Sequence, residues 1–389
     1  MENSQILDKL EKMAIFKMSL GSMELFHSNF LEFLFNIDRS SFIRVINRLL
    51  PNDKQLDRND YKISREKENF DICLYHEESK NGKRGDIVYD LILENKVKSI
   101  PYKEQLEGYK KKGNKKKGNK NNPPRYLLLS LVKNIPDENE IKKDWTITHY
   151  SELKCAIEEE YGSIISSNNE DSTYIKHYCK FIELMDKLQE GILKNFEDTS
   201  IFEEVEDFRK CRLHDLYIKL RCSNFIIQLK QKIGVPIQII NTKEYPKIRE
   251  NGEKGIYLNQ NMFYGNGQVA AFIYKETGND CDIYEIAIEG NEYRHGINSI
   301  RLKDEKKEKI ESQKNLWNNF DDSRKNFLSK IPIEGDLLPE TKTNGKNKNS
   351  KPFRGSGYGY IFKYKDIKAV KVCKLLDIMA NDINKTFCS

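Results

Sequence analysis

The sequence has few of the features that mark membrane, secreted or zinc-binding proteins. No window approaches the ~20 consecutive apolar residues that a membrane helix needs. The charged N-terminal segment MENSQILDKLEKM lacks the apolar run of a signal peptide. The eight cysteines are scattered, with no CxxC pair and no Cys/His cluster at zinc spacing. We therefore predict a cytoplasmic protein with reduced thiols and no membrane partner.

A strong net charge is also missing. Lys and Arg number 66 against 60 Asp and Glu, and the resulting +6 does not by itself imply a nucleic-acid partner. The distribution is more informative, because residues 110–120 hold seven lysines and no acid. The chain of 389 residues is long enough for two domains, and its 19 Phe and 20 Tyr can build their cores. The Lys- and Asn-rich composition favours a bacterial origin.

Nucleotide-binding signatures are absent as well. The glycine-rich stretch FRGSGYGYIF, residues 353–362, has neither the lysine of a phosphate-binding loop nor the spacing of a dinucleotide-binding fingerprint. We interpret it as a glycine-rich entry to a strand, with a base-stacking loop as the alternative.

Helical and strand patterns alternate in the first half of the chain, an order that fits an α/β sheet flanked by helices. Ser22 is the predicted N-cap of the second helix. Residues 76–86 form a predicted polar hairpin loop with Asn81-Gly82 as its turn, and KKGNKKKGNKNNPP, residues 111–124, a flexible basic loop. We predict helices over residues 4–18, 22–36, 41–50, 102–112, 151–161 and 172–195, and strands over residues 61–69, 70–75, 87–97, 125–132 and 145–150.

The second half predicts a smaller α+β domain. Residues 196–205 mark the expected boundary, so we assign a first domain to residues 1–198 and an accessory domain to residues 199–389. The accessory domain is expected to select substrate, bind a partner protein or form a homodimer. Its predicted elements are a long helix to about residue 233, strands in GIYLNQNMF, QVAAFIYKE, CDIYEIAIEG, EYRHGIN and YGYIFKYKD, helices over 302–329 and 367–385, and a loop over 340–357.

Charged residues end a strand that is otherwise apolar. In DLILENKV, Glu94 and Lys96 follow Leu91–Leu93 and project on the same side of the strand. Asp71 opens FDICLY, the preceding strand, and antiparallel neighbours lie ~4.8 Å apart, close enough for Asp71 and Glu94 to share a cation. Asp90 is an alternative partner, but four strand residues separate it from Glu94 by ~13 Å. A structural ion pair at a strand end is the competing interpretation.

Two helices add polar residues to this group. In EQLEGY, Gln105 and Tyr109 are spaced i and i+4 on one face of the helix that follows the Glu94 strand. In ELFHSNFLEFLF, Glu24 and His27 precede a hydrophobic run. Each of these four residues also has an ordinary structural interpretation, such as packing for Tyr109 or a solvated first-turn carboxylate for Glu24.

The Glu24 helix, FDICLY, ILENKV and EQLEGY, in this order along the chain, make residues 20–155 resemble the PD-(D/E)XK nuclease superfamily, in particular a bacterial branch that opens with an E-x-x-H helix. Phe70 stands where the superfamily's name places a proline. The resemblance implies a restriction-endonuclease-like mixed sheet and a metal-dependent phosphodiesterase. It implies metal binding by Asp71, Glu94 and Glu24, catalytic roles for Asp71, Glu94, Lys96 and Gln105, and supporting roles for His27 and Tyr109.

The expected chemistry follows from phosphodiester hydrolysis itself. Mg2+, or Mn2+ in its place, held by two carboxylates lowers the pKa of a bound water and polarises the phosphate. Lys96 would orient or deprotonate that water, or stabilise developing charge. Nucleic-acid phosphates would be engaged by Lys110, Lys111, Lys112, Lys115, Lys116, Lys117 and Lys120, for which a solvated tract is the alternative.

We therefore expect an Mg2+-dependent bacterial nuclease that acts on DNA, with defence against foreign DNA as its role by analogy. A non-catalytic nucleic-acid-binding or regulatory module on the same fold is one alternative. An RNA-directed nuclease is another, although the chain carries no RNA-recognition signature.

Overall fold

The chain divides into two compact units, Met1–Lys194 with Glu206–Leu220, and Asn195–Val205 with Arg221–Ser389. The predicted domain assignment, 1–198 and 199–389, stays a prediction. The computed structural model describes residues 2–78, 86–101, 103–115, 123–136, 138–167, 169–203, 205–234, 237–240, 255–259, 268–277, 280–289, 292–299, 339–340, 358–364 and 367–387.

The first unit is built from helices around one mixed sheet, the α/β class that the sequence predicts. Its helices are α1 Asn3–Glu11, α2 Ala14–Ser19, α3 Met23–Ile37, α4 Arg39–Leu49, α5 Lys103–Asn114, α6 Glu138–Ile141, α7 Tyr150–Glu160, α8 Gly162–Ser166, α9 Glu170–Leu193, α10 Val205–Lys210 and the start of α11 His214–Lys232. Its strands are β1 Lys62–Lys67, β2 Phe70–Glu77, β3 Ile87–Lys96, β4 Arg125–Ser130 and β5 Thr146–His149. A short 3-10 helix covers Asn52–Lys54.

The sheet has the order β1-β2-β3-β4-β5. The pairs β1–β2 and β2–β3 are antiparallel, and β3–β4 and β4–β5 are parallel. The central strand β3 is buried from Val88 to Lys96, as expected for a strand covered on both faces. Helix α5 crosses from β3 to β4, the connection that parallel neighbours require.

Both faces of the sheet are covered by apolar side chains. On one face, Leu106 of α5 packs into a core with Phe70, Ile92, Leu128 and Trp145. On the other face, α3 packs against β1, β2 and β3, α7 packs against β5, and α9 packs against α7. Successive residues of β3 therefore face different helices. Glu94 faces α5, where Gln105 contacts it, and Asn95 faces α3, where it contacts Ser28.

Two irregularities shape the strands near their charged residues. The β1–β2 hairpin closes between Lys67 and Phe70, with Glu68 at φ 59° and Asn69 at φ 67°. Two consecutive positive φ angles are typical of the tight turn that matches strand twist. The β2–β3 register shifts between Leu74 and Tyr75, because Leu74 pairs with Leu91 and Tyr75 with Tyr89. Asp90 is thus the extra residue of a β-bulge.

Several predicted elements differ from the structure in their bounds. The helix predicted over residues 4–18 is two helices, α1 and α2. Helix α5 runs to Asn114, so the predicted loop at 111–124 begins as helix. The long helix predicted before residue 233 is interrupted between α10 and α11, where Arg212 adopts φ 57°. Short helices α6 and α8 were not predicted, and the Asn81-Gly82 turn lies outside the described residues.

The second unit contains a seven-stranded sheet and a closing helix. Its elements are β6 Ile237–Ile240, β7 Gly255–Asn259, β8 Gln268–Thr277, β9 Asp280–Glu289, β10 Glu292–Ser299, β11 Pro339–Glu340, β12 Tyr358–Tyr364, α12 Val372–Phe387 and 3-10 helices Phe196–Asp198 and Ile367–Ala369. The sheet order is β11-β12-β10-β9-β8-β7-β6, antiparallel except for the β6–β7 pair. The predicted helix over 302–329 falls outside the described residues, as does the predicted loop over 340–357 apart from Glu340, which lies in β11.

Among the described residues, no helix has the length and apolar character needed to cross a membrane. The cysteines described as free thiols are Cys73, Cys155, Cys179, Cys211, Cys222 and Cys373.

Candidate active site

One polar cleft of the first unit, at the C-terminal end of β3, gathers the residues predicted to bind metal or to take part in catalysis, together with Tyr109. Its volume is about 490 Å³. It is lined by Glu24, Glu66, Asn69, Asp71, Glu94, Asn95, Lys96, Lys98, Ser99, Gln105, Tyr109, Asp215 and Lys219.

Three carboxylates lie in a row across neighbouring strands at this cleft. Ile72 pairs with Leu93 on β3 and with Arg65 on β1. Continuing these registers by one residue places Asp71 opposite Glu94 and also opposite Glu66. The Asp71 Oδ2 atom accepts a hydrogen bond of 2.6 Å from the backbone N–H of Asn95. The strand pairing therefore brings Asp71 and Glu94 to the same cleft.

Glu94 is held by two donors through one of its oxygens. The Lys96 Nζ atom donates to Glu94 Oε1 at 2.6 Å, and Gln105 Nε2 donates to the same oxygen at 3.2 Å. Gln105 Nε2 also donates to the Tyr109 hydroxyl at 2.9 Å. The second oxygen, Glu94 Oε2, is buried and has no hydrogen-bond partner among the described residues. An acceptor with no donor thus lies at the cleft.

Burial dominates the electrostatics of these carboxylates. Glu94 is 2% exposed, and burial raises its pKa to about 7, against the opposing effect of Lys96. Burial likewise raises the pKa of Asp71 to about 6, opposed by the Asn95 N–H. Burial alone would lower the pKa of Lys96, but the charge and hydrogen bond of Glu94 outweigh it and raise that pKa. Two desolvated carboxylates thus share one ammonium group.

Glu24 reaches the cleft from the first turn of α3. Ser22 caps this helix, because its hydroxyl accepts from the Leu25 N–H at 3.4 Å, as the sequence predicts. Glu24 Oε1 accepts from the Lys98 N–H at 3.1 Å and from the Ser99 hydroxyl at 3.0 Å. Burial raises the pKa of Glu24, but these hydrogen bonds outweigh it and the pKa is lowered overall.

His27 is not among the residues that line the cleft. Its ring is buried, and Nδ1 hydrogen-bonds with the Tyr178 hydroxyl of α9 at 2.8 Å. Burial lowers the pKa of His27 to about 3, which keeps the ring neutral. His27 therefore joins α3 to α9, a supporting position for the helix that carries Glu24. The side chain of Asn95 also faces α3, where its Nδ2 donates to the Ser28 hydroxyl at 2.7 Å.

The predicted phosphate-binding lysines divide into three groups. Lys110 is bound to Asp144. Lys111, Lys112 and Lys115 are exposed at the end of α5. The remaining three, Lys116, Lys117 and Lys120, lie outside the described residues.

Several cleft residues carry no motif that sequence analysis could use. Glu66 lies in β1 with φ 52°, and only the register of the hairpin places it beside Asp71. Lys98 comes two residues after Lys96 but belongs to no strand. Asp215 and Lys219 are about 120 residues further along the chain than Glu94. Their i, i+4 spacing indicates a shared helix face, but nothing local indicates which element that face meets.

Comparison with known proteins agrees with the resemblance seen in the sequence. Residues 14–180 match the model of a family described as the PD-(D/E)XK nuclease superfamily. No curated protein and no solved structure gives a significant match to the chain. The matched segment contains β1 to β5 and the cleft residues from Glu24 to Tyr109, and the bacterial branch stays a prediction. Residues 14–180 of this protein are therefore similar to the PD-(D/E)XK nuclease superfamily, and the mixed five-stranded sheet is consistent with a restriction-endonuclease-like fold.

Proposed function

We propose that this protein is a divalent-metal-dependent nuclease that hydrolyses phosphodiester bonds of DNA. The observation that supports it most is the convergence of Asp71, Glu94, Lys96 and Gln105 on one cleft, within the segment that matches the PD-(D/E)XK nuclease superfamily. Glu94 and Lys96 are buried, and Lys96 and Gln105 both donate to Glu94 Oε1. This arrangement differs from an ion pair at a solvated strand end.

The carboxylates fit a hard cation such as Mg2+. Asp71 and Glu94 are desolvated, and Glu94 Oε2 has no donor among the described residues. Two carboxylates are enough for Mg2+, which commonly binds one or two carboxylates and completes its shell with water and substrate phosphate. When bound, it supplies an activated water and polarises the phosphate.

Lys96 is proposed to stabilise charge rather than to accept a proton. Its raised pKa keeps the ammonium protonated at neutral pH while Glu94 is ionised. At 7% exposure this ammonium is held by its hydrogen bond to Oε1 of Glu94, one of the carboxylates that would hold the cation. A fixed, largely buried positive charge at the cleft would stabilise negative charge that develops on the phosphate oxygens.

Gln105 and Glu24 are proposed to position the central groups. Gln105 donates to Glu94 Oε1 and to Tyr109, so it orients the carboxylate that Lys96 also contacts. Glu24 Oε1 holds the backbone at Lys98 and the hydroxyl of Ser99, just after β3. Glu24 is therefore proposed as an anchor of this segment and as an outer ligand or second-metal ligand.

DNA is the proposed substrate, and defence of a bacterial cell against foreign DNA the proposed role. The exposed lysines at the end of α5 supply sequence-independent attraction to phosphate. The role rests on analogy with the superfamily and not on the chemistry of the cleft. The second unit is proposed to select substrate, to bind a partner or to form a homodimer, and the protein to act in the cytoplasm.

The decisive experiment is a substrate panel. Plasmid, linear and single-stranded DNA and RNA are incubated with wild-type protein in Mg2+, Mn2+ or EDTA, and Glu94→Ala is assayed in parallel. We expect cleavage of DNA with either metal, and none with EDTA or with Glu94→Ala.

Other outcomes separate the alternatives. Binding of nucleic acid without cleavage in either metal would support a non-catalytic module. Cleavage of RNA alone would support an RNA-directed nuclease. Equal activity of wild-type and Glu94→Ala proteins would mean that the nuclease activity comes from elsewhere.

A further inference from the structure

We propose that Lys219 binds a backbone phosphate of the nucleic acid in the cleft, and that this contact positions the substrate. The inference rests on the proposed nuclease function and deepens it. Lys219 lies outside residues 14–180, the segment that matches the superfamily. It would therefore be a substrate contact that this chain adds to the matched segment.

The start of α11 holds Lys219 at the cleft through a well-packed turn. Leu213 and Leu216 are fully buried, and the rings of Phe208 and Tyr217 lie 4.6 Å apart. These apolar side chains fix one face of the helix. The opposite side chains, at the i and i+4 positions 215 and 219, are partly exposed and line the cleft.

A hydrogen bond joins the segment just after β3 to the turn just before α11. The Lys98 Nζ atom donates to the backbone carbonyl of Arg212 at 3.0 Å. Arg212 is the residue with φ 57° that ends the connection from α10. Lys98 lies two residues after Lys96, so its ammonium links the end of β3 directly to the turn that starts α11.

Of the three lysines in the cleft, Lys219 alone has no partner among the described residues. Lys96 donates to Glu94, and Lys98 donates to the Arg212 carbonyl and lies 3.6 Å from Asp215 Oδ1. No hydrogen bond or ion pair to a described residue engages Lys219. Its three N–H donors are thus available to a ligand that enters the cleft.

The charges of the cleft explain what such a ligand would be. Five carboxylates line it against three ammonium groups, so a phosphate needs both the metal and an uncommitted cation to enter. Lys219 is partly desolvated, and burial lowers its pKa despite the charge of Asp215. An incompletely solvated ammonium gains more from a phosphate oxygen than an exposed lysine does.

The competing interpretation is a structural pair between Lys219 and Asp215 on the same helix face. An Asp at i and a Lys at i+4 commonly interact in this way. Here Asp215 lies against Lys98 instead, at 3.6 Å, and no ion pair between Asp215 and Lys219 occurs in the described part of the chain. Lys219 and Asp215 therefore interact electrostatically at longer range, without a direct ion pair.

The test measures nucleic-acid binding separately from cleavage. Wild-type, Lys219→Gln and Lys219→Arg proteins are compared with Lys12→Gln, which removes an exposed lysine outside the cleft. Affinity for a labelled duplex DNA is measured by anisotropy across a salt series in Ca2+, and kcat and KM are measured in Mg2+. Thermal unfolding checks that each variant is folded. If Lys219→Gln does not fold, Lys219→Met takes its place, and the same changes in Kd, KM and salt slope are expected of it.

We expect Lys219→Gln to raise Kd and KM roughly tenfold. The slope of log affinity against log salt should become shallower by about 0.9, the value for one neutralised phosphate. Lys219→Arg should restore the slope, whereas Lys12→Gln should match wild type.

Two results would overturn the proposal: an unchanged salt slope in Lys219→Gln, or a Lys219→Arg protein as weak as the Gln variant. The salt slope also separates this inference from the nuclease function itself. Wild-type protein that binds but does not cleave would overturn the nuclease function alone, and protein that binds no nucleic acid would overturn both.

Discussion

Strand β3 carries two buried acids, each hydrogen-bonded to a basic side chain, and only one of them lies at the cleft. Glu94 accepts from Lys96 at 2.6 Å, and Asp90 hydrogen-bonds with His76 Nδ1 at 2.5 Å. Both acids are at most 5% exposed, and burial raises the pKa of each. Burial and a basic neighbour are therefore not sufficient to identify a functional residue.

The two ends of the strand differ in what surrounds each pair. Asp90 is the extra residue of the β-bulge, and the bulge turns it towards His76 on β2. The positive charges of Arg58 and Arg125 add to this pairing. Glu94 lies in regular pairing, and its Oε2 atom has no donor among the described residues. At the cleft end one carboxylate oxygen is thus left for the proposed ligand, whereas at the bulge end the carboxylate is paired within the protein.

The largest expected effect is a difference in metal binding and cleavage activity between variants at the cleft end of β3 and a variant at its bulge end. Asp71→Ala and Glu94→Ala should weaken both Mn2+ binding and cleavage, because both carboxylates are proposed ligands. Lys96→Ala should leave Mn2+ binding largely intact and lower kcat by about 10²–10³-fold, as removal of a fixed electrostatic group does. Asp90→Ala should keep its kcat, since it belongs to the satisfied pair.

Calorimetric Mn2+ titration of these four variants, alongside single-turnover cleavage, checks this division of roles. Equal Mn2+ affinity of the Asp71, Glu94 and Lys96 variants would contradict the ligand assignment. A large fall in kcat in a folded Asp90→Ala protein would remove the distinction between the two ends.

A smaller effect concerns stability and pH. Burial raises the pKa values of Glu94 and Asp71 to about 7 and about 6, above their ordinary values of 4.5 and 3.8. At these two sites the folded protein then binds more protons than the unfolded chain between about pH 4 and 7, so their contribution to the free energy of unfolding falls as pH rises through this range. Glu94→Gln should flatten this dependence and be more stable than wild type at pH 8 without divalent metal.

Metal addition should act at the cleft end alone. At pH 8 and a free Mg2+ concentration ten times its Kd, wild type should gain about 1.4 kcal/mol in the free energy of unfolding. Glu94→Gln should gain little, and Asp90→Asn should respond like wild type. Urea unfolding at pH 5 and 8, with and without Mg2+, measures all three, and an equal Mg2+ response in Glu94→Gln would place the cation elsewhere.

Most of the sheet was predictable because its strands carry strong local signals. The apolar run Leu91–Leu93 indicates a central strand, and the helix from Lys103 follows from the pattern after Pro101. Interruptions were harder, since the break at Arg212 depends on a backbone conformation that arginine seldom adopts. The bulge at Asp90 likewise follows from strand pairing and not from a local pattern.

The residues of the candidate site also divide into those that the sequence predicted and those that it did not. Asp71, Glu94, Lys96 and Gln105 were found because short spacings and strand periodicity connect them. Glu66 required the register of the β1–β2 hairpin, and Lys219 required knowledge of where a distant helix packs. Local geometry therefore recovers Glu94, Lys96 and Gln105, and the family resemblance adds Glu24, whereas residues that only tertiary packing brings to the cleft are missed.

The basic end of α5 should give the smallest effect, because it lies away from the cleft. Gln105 contacts Glu94, but the Tyr126 hydroxyl near the start of β4 donates to Asn114 Oδ1 at 2.8 Å. With a rise of about 1.5 Å per residue, Lys112 lies about 10 Å along the helix from Gln105. These lysines are thus placed to contact flanking phosphates, about three base steps from the cleft at about 3.4 Å per step.

Replacing the exposed lysines of α5 should therefore weaken binding without changing the chemistry. A variant with Lys111, Lys112 and Lys115 replaced by Ser should bind DNA a few-fold more weakly, and its salt slope should be shallower by about 0.9 for each phosphate that these lysines neutralise in the wild type. Cleavage at saturating DNA should be unchanged, since none of the three lines the cleft.

Lys110→Ser is the matched control, because Lys110 is already bound to Asp144 and should contribute least. Anisotropy across a salt series in Ca2+, extended to a variant that also replaces Lys116, Lys117 and Lys120, measures the effect. If affinity and slope stay at wild-type values, this tract is a solvated linker, and attraction of DNA depends on the cleft alone.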